Sequence, residues 1–188
     1  MIDTHSHILS GMDDGASTVE DSLAMLEIAW QGGTTGIVAT PHCNSEYAYQ
    51  PELVERAVAE LNARAGGNPK VHRGCEIHLT FDNIDLVLEK PTAYTINGGR
   101  YLLIECPDWH VGKHTERVLA RLLERGMVPI ISHPERNPAL QRNIDRVEDW
   151  AGSHSTCPAG SGGGCFPGCP PNQLMPYENC LRTSQRAR

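Results

Sequence analysis

Apolar residues recur along the first 150 residues in two alternating patterns. Short stretches rich in Ile, Val, Leu or Thr predict strands, and they span 1–7, 35–40, 70–77, 101–106 and 128–132. Between them, apolar residues spaced three and four apart predict helices, which span 17–31, 51–65, 116–125 and 143–150. Strands that alternate with helices are typical of an α/β protein with a parallel sheet or a barrel.

The first of these helices carries the clearest boundary signals. The sequence from Ser17 to Glu20 has the spacing of a capping box, and Gly32-Gly33 predicts the end of the helix. Pro51 predicts the first turn of the second helix, which Gly66 ends.

The pattern stops near Trp150. Residues 151–188 contain no Ile, Val, Asp or Lys, but they hold many Gly and Pro residues and four of the 7 cysteines. Such a composition without a period is typical of irregular sequence. We therefore predict a domain over 1–150 and an aberrant Gly/Pro/Cys-rich tail over 151–188, irregular or disordered. A reading-frame shift or truncation near residue 150 is the favoured explanation; a small zinc-binding appendage formed by the four thiols is the alternative.

Charge and hydropathy exclude several classes of function. The chain has 188 residues, with 23 acidic against 16 basic side chains and a formal charge of −7, so it lacks the basic surface of a nucleic-acid binder. No apolar run approaches the roughly 20 residues of a membrane-spanning helix, and the first residues do not resemble a secretion signal. We predict a cytoplasmic protein that neither inserts into membranes nor binds nucleic acid.

Residue types that bind metals follow every predicted strand. They are His5 and His7, His42, Glu76, Glu105 and His133, with Asp13 and Asp14 in the loop after the first strand. In a parallel sheet these strand ends meet at one edge, where unpaired carboxylates would be costly and a divalent ion would keep them charged. Mixed imidazole and carboxylate ligands suit Mn, Fe or Zn.

Each piece also has a plainer interpretation. Two histidines on a strand are often surface residues, Glu105 could form an ordinary ion pair, and the sequence Asp13-Asp14-Gly15 could be only a turn. Only the repetition at every strand end favours a metal site. The remaining histidines of this region lack that placement and are predicted to be surface residues: His72, His78, His110 and His114.

A cysteine-dependent phosphatase would need a Cys followed by five residues and an Arg. Cys43, Cys75 and Cys106 lack that Arg. Cys180 and Arg186 have the spacing, but no glycine lies between them, and this interpretation is disfavoured.

The histidines and carboxylates at the predicted strand ends, with the residues around them, resemble motifs of the PHP (polymerase and histidinol phosphatase) superfamily. The chain is most similar to its bacterial metal-dependent protein-tyrosine phosphatases, which are encoded with capsule and exopolysaccharide genes. The resemblance covers about residues 1–150 and rests on these segments: His5-Ser6-His7, Asp13-Asp14-Gly15, Pro41-His42, Gly74-Cys75-Glu76, Ile104-Glu105 and His133-Pro134-Glu135-Arg136. It implies a PHP-type distorted (β/α)7 TIM-like barrel, incomplete at the C-terminus.

The resemblance also implies the roles of individual residues. His5, His7 and Glu76 would hold a first ion, and Glu76 with Glu105 and His133 a second. Asp14 and His42 would hold a third. Asp14 and Arg136 are the implied catalytic residues, with Arg136 binding phosphoryl oxygens through its planar guanidinium.

The resemblance further implies the activity and its partners. Two or three divalent ions are expected, preferentially Mn, with Fe, Zn or Mg as alternatives. The implied reaction is hydrolysis of phosphotyrosine in a protein, namely the tail of a bacterial tyrosine autokinase that controls polysaccharide export. An oligomer is left open.

The sequence departs from the family pattern at one point. The family has a late Asp-x-His motif that supplies two further ligands, whereas this sequence has no Asp after Asp149 and its only later His is His154. Two alternatives therefore remain: another PHP phosphoesterase similar to histidinol phosphatase, and an inactive truncated or frameshifted remnant.

Overall fold

The computed structural model describes residues 1–109 and 111–154, which form seven strands and seven α-helices. The strands are β1 (Ile2–Ser6), β2 (Gly36–Ala39), β3 (His42–Cys43), β4 (Lys70–Arg73), β5 (Glu76–His78), β6 (Tyr101–Glu105) and β7 (Val128–Ile131). The helices are α1 (Val19–Gln31), α2 (Pro51–Arg64), α3 (Phe81–Glu89), α4 (Pro91–Tyr94), α5 (Lys113–Glu124), α6 (Pro138–Gln141) and α7 (Ile144–His154), and a 3₁₀ turn spans Ile96–Gly98.

All strand pairs are parallel, but the strands form two sheets. One sheet has the order β1-β2-β4, and the other has the order β3-β5-β6-β7. The α/β class with parallel strands is thus confirmed, although the described residues do not close a barrel. Because the strands run in the same direction, their carboxyl ends lie at one edge of each sheet.

The segment 70–77, predicted as one strand, is divided between the two sheets. β4 ends at Arg73 and β5 begins at Glu76. A Cβ atom on Gly74 would lie 2.7 Å from Val38 Cγ1, so a larger residue between β4 and β5 would force one of the two segments to shift. The chain makes the same change between β2 and β3, and Glu76 N–H donates to Pro41 O at 3.0 Å across the two crossings.

The capping box of α1 lies one residue later than predicted. Thr18 is the N-cap, and its hydroxyl accepts from Asp21 N–H at 3.1 Å. The Asp21 carboxylate in turn accepts from Thr18 N–H at 2.8 Å. The predicted pair, Ser17 and Glu20, was wrong because an aspartate at the third helical position closes the same motif as a glutamate.

Two apolar cores hold the helices against the sheets. One packs α1 and α2 on the three-stranded sheet around Leu26 and Leu61, and the other packs α3, α5 and α7 on the four-stranded sheet around Leu102 and Leu122. The Tyr49 ring touches both cores. This shared packing fixes the two strand-end edges relative to each other.

The open edge of β7 carries a proline. Val128 N–H donates to Arg100 O at 2.7 Å, and Ser132 N–H donates to Ile104 O at 2.8 Å. Backbone N–H groups alternate in direction along a strand, so the nitrogen of Pro129 faces away from β6.

None of the described helices has the length and apolar character needed to cross a bilayer. The predicted tail over 151–188 lies almost entirely outside the described residues.

Candidate metal centre

Histidine and glutamate side chains meet where the strands of the two sheets end. His42 begins β3 and lies opposite Glu76 in the register of β3 with β5, and Glu105 ends β6. His5 comes from the end of β1, and His133 follows β7. The convergence expected from parallel strand ends is therefore present.

Glu76 lies at the centre of this group with a side chain that is 0% exposed. Four imidazole nitrogens surround its carboxylate. The contacts are His5 Nε2 at 3.3 Å and His133 Nε2 at 3.1 Å from Oε1, and His42 Nδ1 at 3.1 Å and His7 Nε2 at 3.4 Å from Oε2. Burial alone would raise the pKa of Glu76, but the four imidazoles outweigh burial and hold it well below its usual range.

The Glu76 oxygens nevertheless lack directed hydrogen bonds. No group in the described part of the chain donates to Oε1 or Oε2 with hydrogen-bond geometry, although both oxygens are fully buried. A buried carboxylate without such donors is costly in a protein interior. Carboxylate oxygens without hydrogen bonds, surrounded by imidazole nitrogens, are what a divalent cation requires, so the donor set fits a metal ion.

Three overlapping triplets of donors can be distinguished among the described residues. In the order used below, the first is His5, His7 and Glu76, the second is Glu76, Glu105 and His133, and the third is His7, Asp14 and His42. Within each triplet the donor atoms lie within 4.8 Å of one another. Glu76 and His7 each belong to two triplets, so the three form one continuous cluster. All seven residues predicted as ligands fall within it.

The third triplet is the most open to solvent. The side chain of Asp14 is 64% exposed, and its Oδ1 lies 3.5 Å from His42 Nε2. The ring of Tyr47 stacks on His42, with centroids 5.9 Å apart. A substrate can therefore reach this part of the cluster more readily than the buried Glu76.

Arg136 lies outside the three triplets. It is exposed, and its backbone N–H donates to His133 O at 2.9 Å in the turn after β7. Its guanidinium opposes the effect of Glu76, which raises the pKa of His133. Arg136 is thus at the rim of the cluster, where a flexible cation can reach an anionic ligand.

His78 was wrongly predicted to be an ordinary surface residue. Its side chain is 32% exposed, and its Nδ1 lies 3.1 Å from Glu105 Oε2. The sequence contained a signal for this contact, because residues 76 and 78 of one strand point to the same face. Glu105 contacts His78 through Oε2, while its Oε1 lies 3.6 Å from His133 Nε2.

Asp13, the neighbour of a predicted ligand, has the more extensive contacts. Its side chain is 0% exposed, and its Oδ2 lies 2.6 Å from His7 Nδ1. Backbone N–H groups of Gly15 and His42 also donate to this carboxylate, each at 3.0 Å. The family resemblance implies a role for Asp14 and none for Asp13, and the order of two adjacent aspartates says nothing about which of them is buried.

His133 has an unusual backbone conformation, with φ at 27°. A positive φ is costly for a residue with a Cβ atom, and a following proline restricts the backbone further. We expect His133→Gly to exceed His133→Ala in free energy of unfolding by about 1 kcal/mol, since both lose the imidazole but only glycine relieves the backbone. Urea unfolding in EDTA measures this. Equal stabilities would mean that the conformation is unstrained.

Comparisons with known proteins identify relatives of this chain. Tyrosine-protein phosphatase YwqE from Bacillus subtilis (strain 168) is 37% identical over 174 residues, which cover 88% of this chain and 67% of the relative. The putative tyrosine-protein phosphatase CapC from Staphylococcus aureus is 36% identical over 151 residues, covering 77% and 58%. Tyrosine-protein phosphatase CpsB from Streptococcus pneumoniae is 34% identical over 153 residues, covering 79% and 63%. The chain therefore spans about two thirds or less of these relatives.

A solved structure gives the same result. It is one of the crystal structures of YwqE from Bacillus subtilis and CpsB from Streptococcus pneumoniae, two proteins described as unique metal-dependent tyrosine phosphatases. It superimposes with a TM-score of 0.70 and 36% identity, covering 79% of this chain and 62% of the other. Residues 1–155 match the family described as "Capsular polysaccharide synthesis, CpsB/CapC". The chain belongs to the CpsB/CapC family.

Proposed function

We propose that this chain hydrolyses phosphotyrosine in proteins with the help of two or three divalent metal ions. The observation that carries the proposal is the buried Glu76 carboxylate, which contacts four imidazoles without a directed hydrogen bond. The names of its relatives support the reaction type. The preferred ion is Mn, with Fe, Zn or Mg as alternatives, because the donors combine imidazole and carboxylate.

The proposal extends to the setting of the reaction. The substrate is the phosphotyrosine-bearing tail of a bacterial tyrosine autokinase of capsular or exopolysaccharide synthesis, acted on in the cytoplasm. The fold is that of a PHP-type distorted (β/α)7 barrel, of which residues 1–150 form the N-terminal βα units. The match of residues 1–155 to a capsular polysaccharide family supports this setting.

The residues of the cluster have different roles in the proposed reaction. His5, His7, Glu76, Glu105, His133, Asp14 and His42 would hold the ions. Bound there, divalent ions would polarise the phosphoryl oxygens and lower the pKa of water. Arg136 binds equatorial phosphoryl oxygens and offsets their growing charge, and the exposed Asp14 faces the substrate side. The phenolate of tyrosine, with a pKa of about 10, leaves without a strong general acid.

The test of this proposal is turnover of a phosphotyrosine peptide by the full chain with added Mn²⁺. Turnover should require the metal and should exceed turnover of histidinol phosphate. Preference for histidinol phosphate would favour the other PHP phosphoesterase. Metal binding without turnover of either compound would favour a non-catalytic remnant.

Arg136→Ala is expected to lower kcat/KM for the phosphotyrosine peptide about 100-fold, because one charged donor to the transition state is lost. Arg136→Lys should recover little, since an ammonium lacks the planar fork. Arg142→Ala is the matched control, an exposed arginine six positions further on, and should leave turnover unchanged. Metal content by mass spectrometry should be equal in all four proteins. Unchanged turnover in Arg136→Ala would exclude the phosphate-binding role.

A further inference from the structure

The loop after β1 folds back onto the histidine that precedes it. Ala16 N–H donates to His7 O at 3.1 Å, and Gly11 N–H donates to Ala16 O at 2.9 Å. The loop packs so closely that a Cβ atom on Gly15 would lie 2.0 Å from His7 O. In this conformation the Asp13 carboxylate lies beside Nδ1 of the His7 imidazole, whereas Glu76 lies beside Nε2.

The Asp13 carboxylate determines which nitrogen of His7 carries a proton. It already accepts N–H groups from Gly15 and His42, and a carboxylate in that position offers only lone pairs to the nitrogen 2.6 Å away. His7 Nδ1 must therefore be the donor. The lone pair that is left for a metal is on Nε2, which lies 3.2 Å from His5 Nε2 and 3.4 Å from Glu76 Oε2.

One oxygen of the Asp13 carboxylate, Oδ2, also contacts residues of two donor triplets. Asp13 Oδ2 accepts from the ring of His7, which belongs to the first and third triplets, and from the backbone of His42, which belongs to the third. The centroids of these two rings are 4.4 Å apart. One buried oxygen thus fixes the ring of one donor and the strand position of another.

We propose that Asp13 is the positioning residue of the metal centre: it fixes His7 with Nε2 toward the ion and holds His42 beside it. Asp13 is not itself a metal ligand, because both of its oxygens face protein N–H groups. Partners of this kind orient metal-binding imidazoles and increase their basicity. The inference rests on the metal centre of the proposed function, but it does not depend on phosphatase activity.

Asp13→Asn tests the proposal because an amide cannot reproduce these contacts. If the amide oxygen of the substituted side chain faces His7, its NH2 group faces the Gly15 N–H, and two donors oppose each other. If the NH2 group faces His7 instead, the imidazole must carry its proton on Nε2 and loses the lone pair that would bind the metal. Either orientation weakens the centre. We expect the free Zn²⁺ concentration for half-loading to rise about 10- to 100-fold, measured by competition with a chromophoric chelator.

Asp3→Asn is the matched control. Asp3 is an exposed aspartate on β1, and its Oδ1 accepts from the backbone N–H of His5 at 3.1 Å. This variant should load Zn²⁺ as the original chain does. Circular dichroism and the melting temperature in EDTA establish that Asp13→Asn is folded.

A second measurement needs no variant. Zn²⁺ is diamagnetic, so ¹⁵N NMR of the zinc-loaded chain reports the state of each imidazole, and His7 should show a protonated Nδ1 and a coordinated Nε2. Coordination through Nδ1, or an Asp13→Asn protein with Zn²⁺ affinity within about threefold of the original, would overturn the proposal. If the original chain bound no metal at all, the proposed function would fail instead.

Discussion

Glu76→Gln is expected to lower the affinity of the chain for divalent ions at least 100-fold, or about 2.7 kcal/mol. The change keeps the shape of the side chain but removes the charge that two of the three triplets share. It also replaces one of two acceptor oxygens by an NH2 group that points toward imidazole nitrogens 3.1 to 3.4 Å away. No neighbouring carboxylate is placed to substitute, because Asp13 is bound to His7 on the side away from Glu76, and Asp14 and Glu105 are 64% and 25% exposed.

The readout for Glu76→Gln is the rise in melting temperature on adding Mn²⁺ or Zn²⁺. A ligand that binds only the folded chain raises its stability by mass action, so the original chain should show a rise and the variant should show none. Glu60→Gln, an exposed glutamate on α2, is the control and should behave as the original. If Glu76→Gln retained the metal-dependent rise, the ions would have to bind elsewhere.

Gly15→Ala is the second change with a large expected effect. The added Cβ would lie 2.0 Å from His7 O and 2.5 Å from His7 Cβ, and the Ala16 N–H bond to that oxygen prevents a simple retreat. Either His7 leaves its position or the loop opens and takes Asp13 with it. We expect a loss of about 3 kcal/mol in the free energy of unfolding, because backbone atoms, unlike the end of a side chain, cannot be displaced cheaply.

Gly32→Ala provides the control for Gly15→Ala. Gly32 ends α1 in a right-handed conformation, with φ at −74°, and its added Cβ would come no closer than 3.4 Å to another atom. Its free energy of unfolding should stay within about 0.5 kcal/mol of the original. Urea unfolding in EDTA separates the packing effect from the metal. If Gly15→Ala were as stable as Gly32→Ala, the loop would not be packed against His7 as described.

Most features that depend on local pattern could be predicted from the sequence. Parallel strands and the helices around Leu61 and Leu122 follow from apolar spacing, and the seven predicted donors converge because parallel strands end at one edge. Their identification as ligands remains a prediction. The helix α3 (Phe81–Glu89) was not predicted, although it is a regular helix capped by Thr80.

What could not be predicted depends on contacts between distant residues. The division at Gly74 is decided by its fit against Val38 of another strand, a distance that no local pattern contains. The burial of Asp13 depends on a loop that returns to His7, and the contact of His78 depends on which residue of β6 lies opposite it. These are tertiary constraints, and they decide which polar residues lie behind the predicted donors.

β1 and β7 are each an edge strand of one of the two sheets, and the proline in β7 makes them unequal as partners for other chains. Within residues 1–109 and 111–154, β1 and β7 each pair on one side only, and unpaired strand edges invite association. β7 is short and offers no N–H at Pro129, whereas β1 begins with Ile2, and Met1 and Ile2 are 77% and 62% exposed. Self-association through added strands is therefore expected on the β1 side. These two edge strands thus differ in their tendency to pair with another chain, although both belong to parallel sheets.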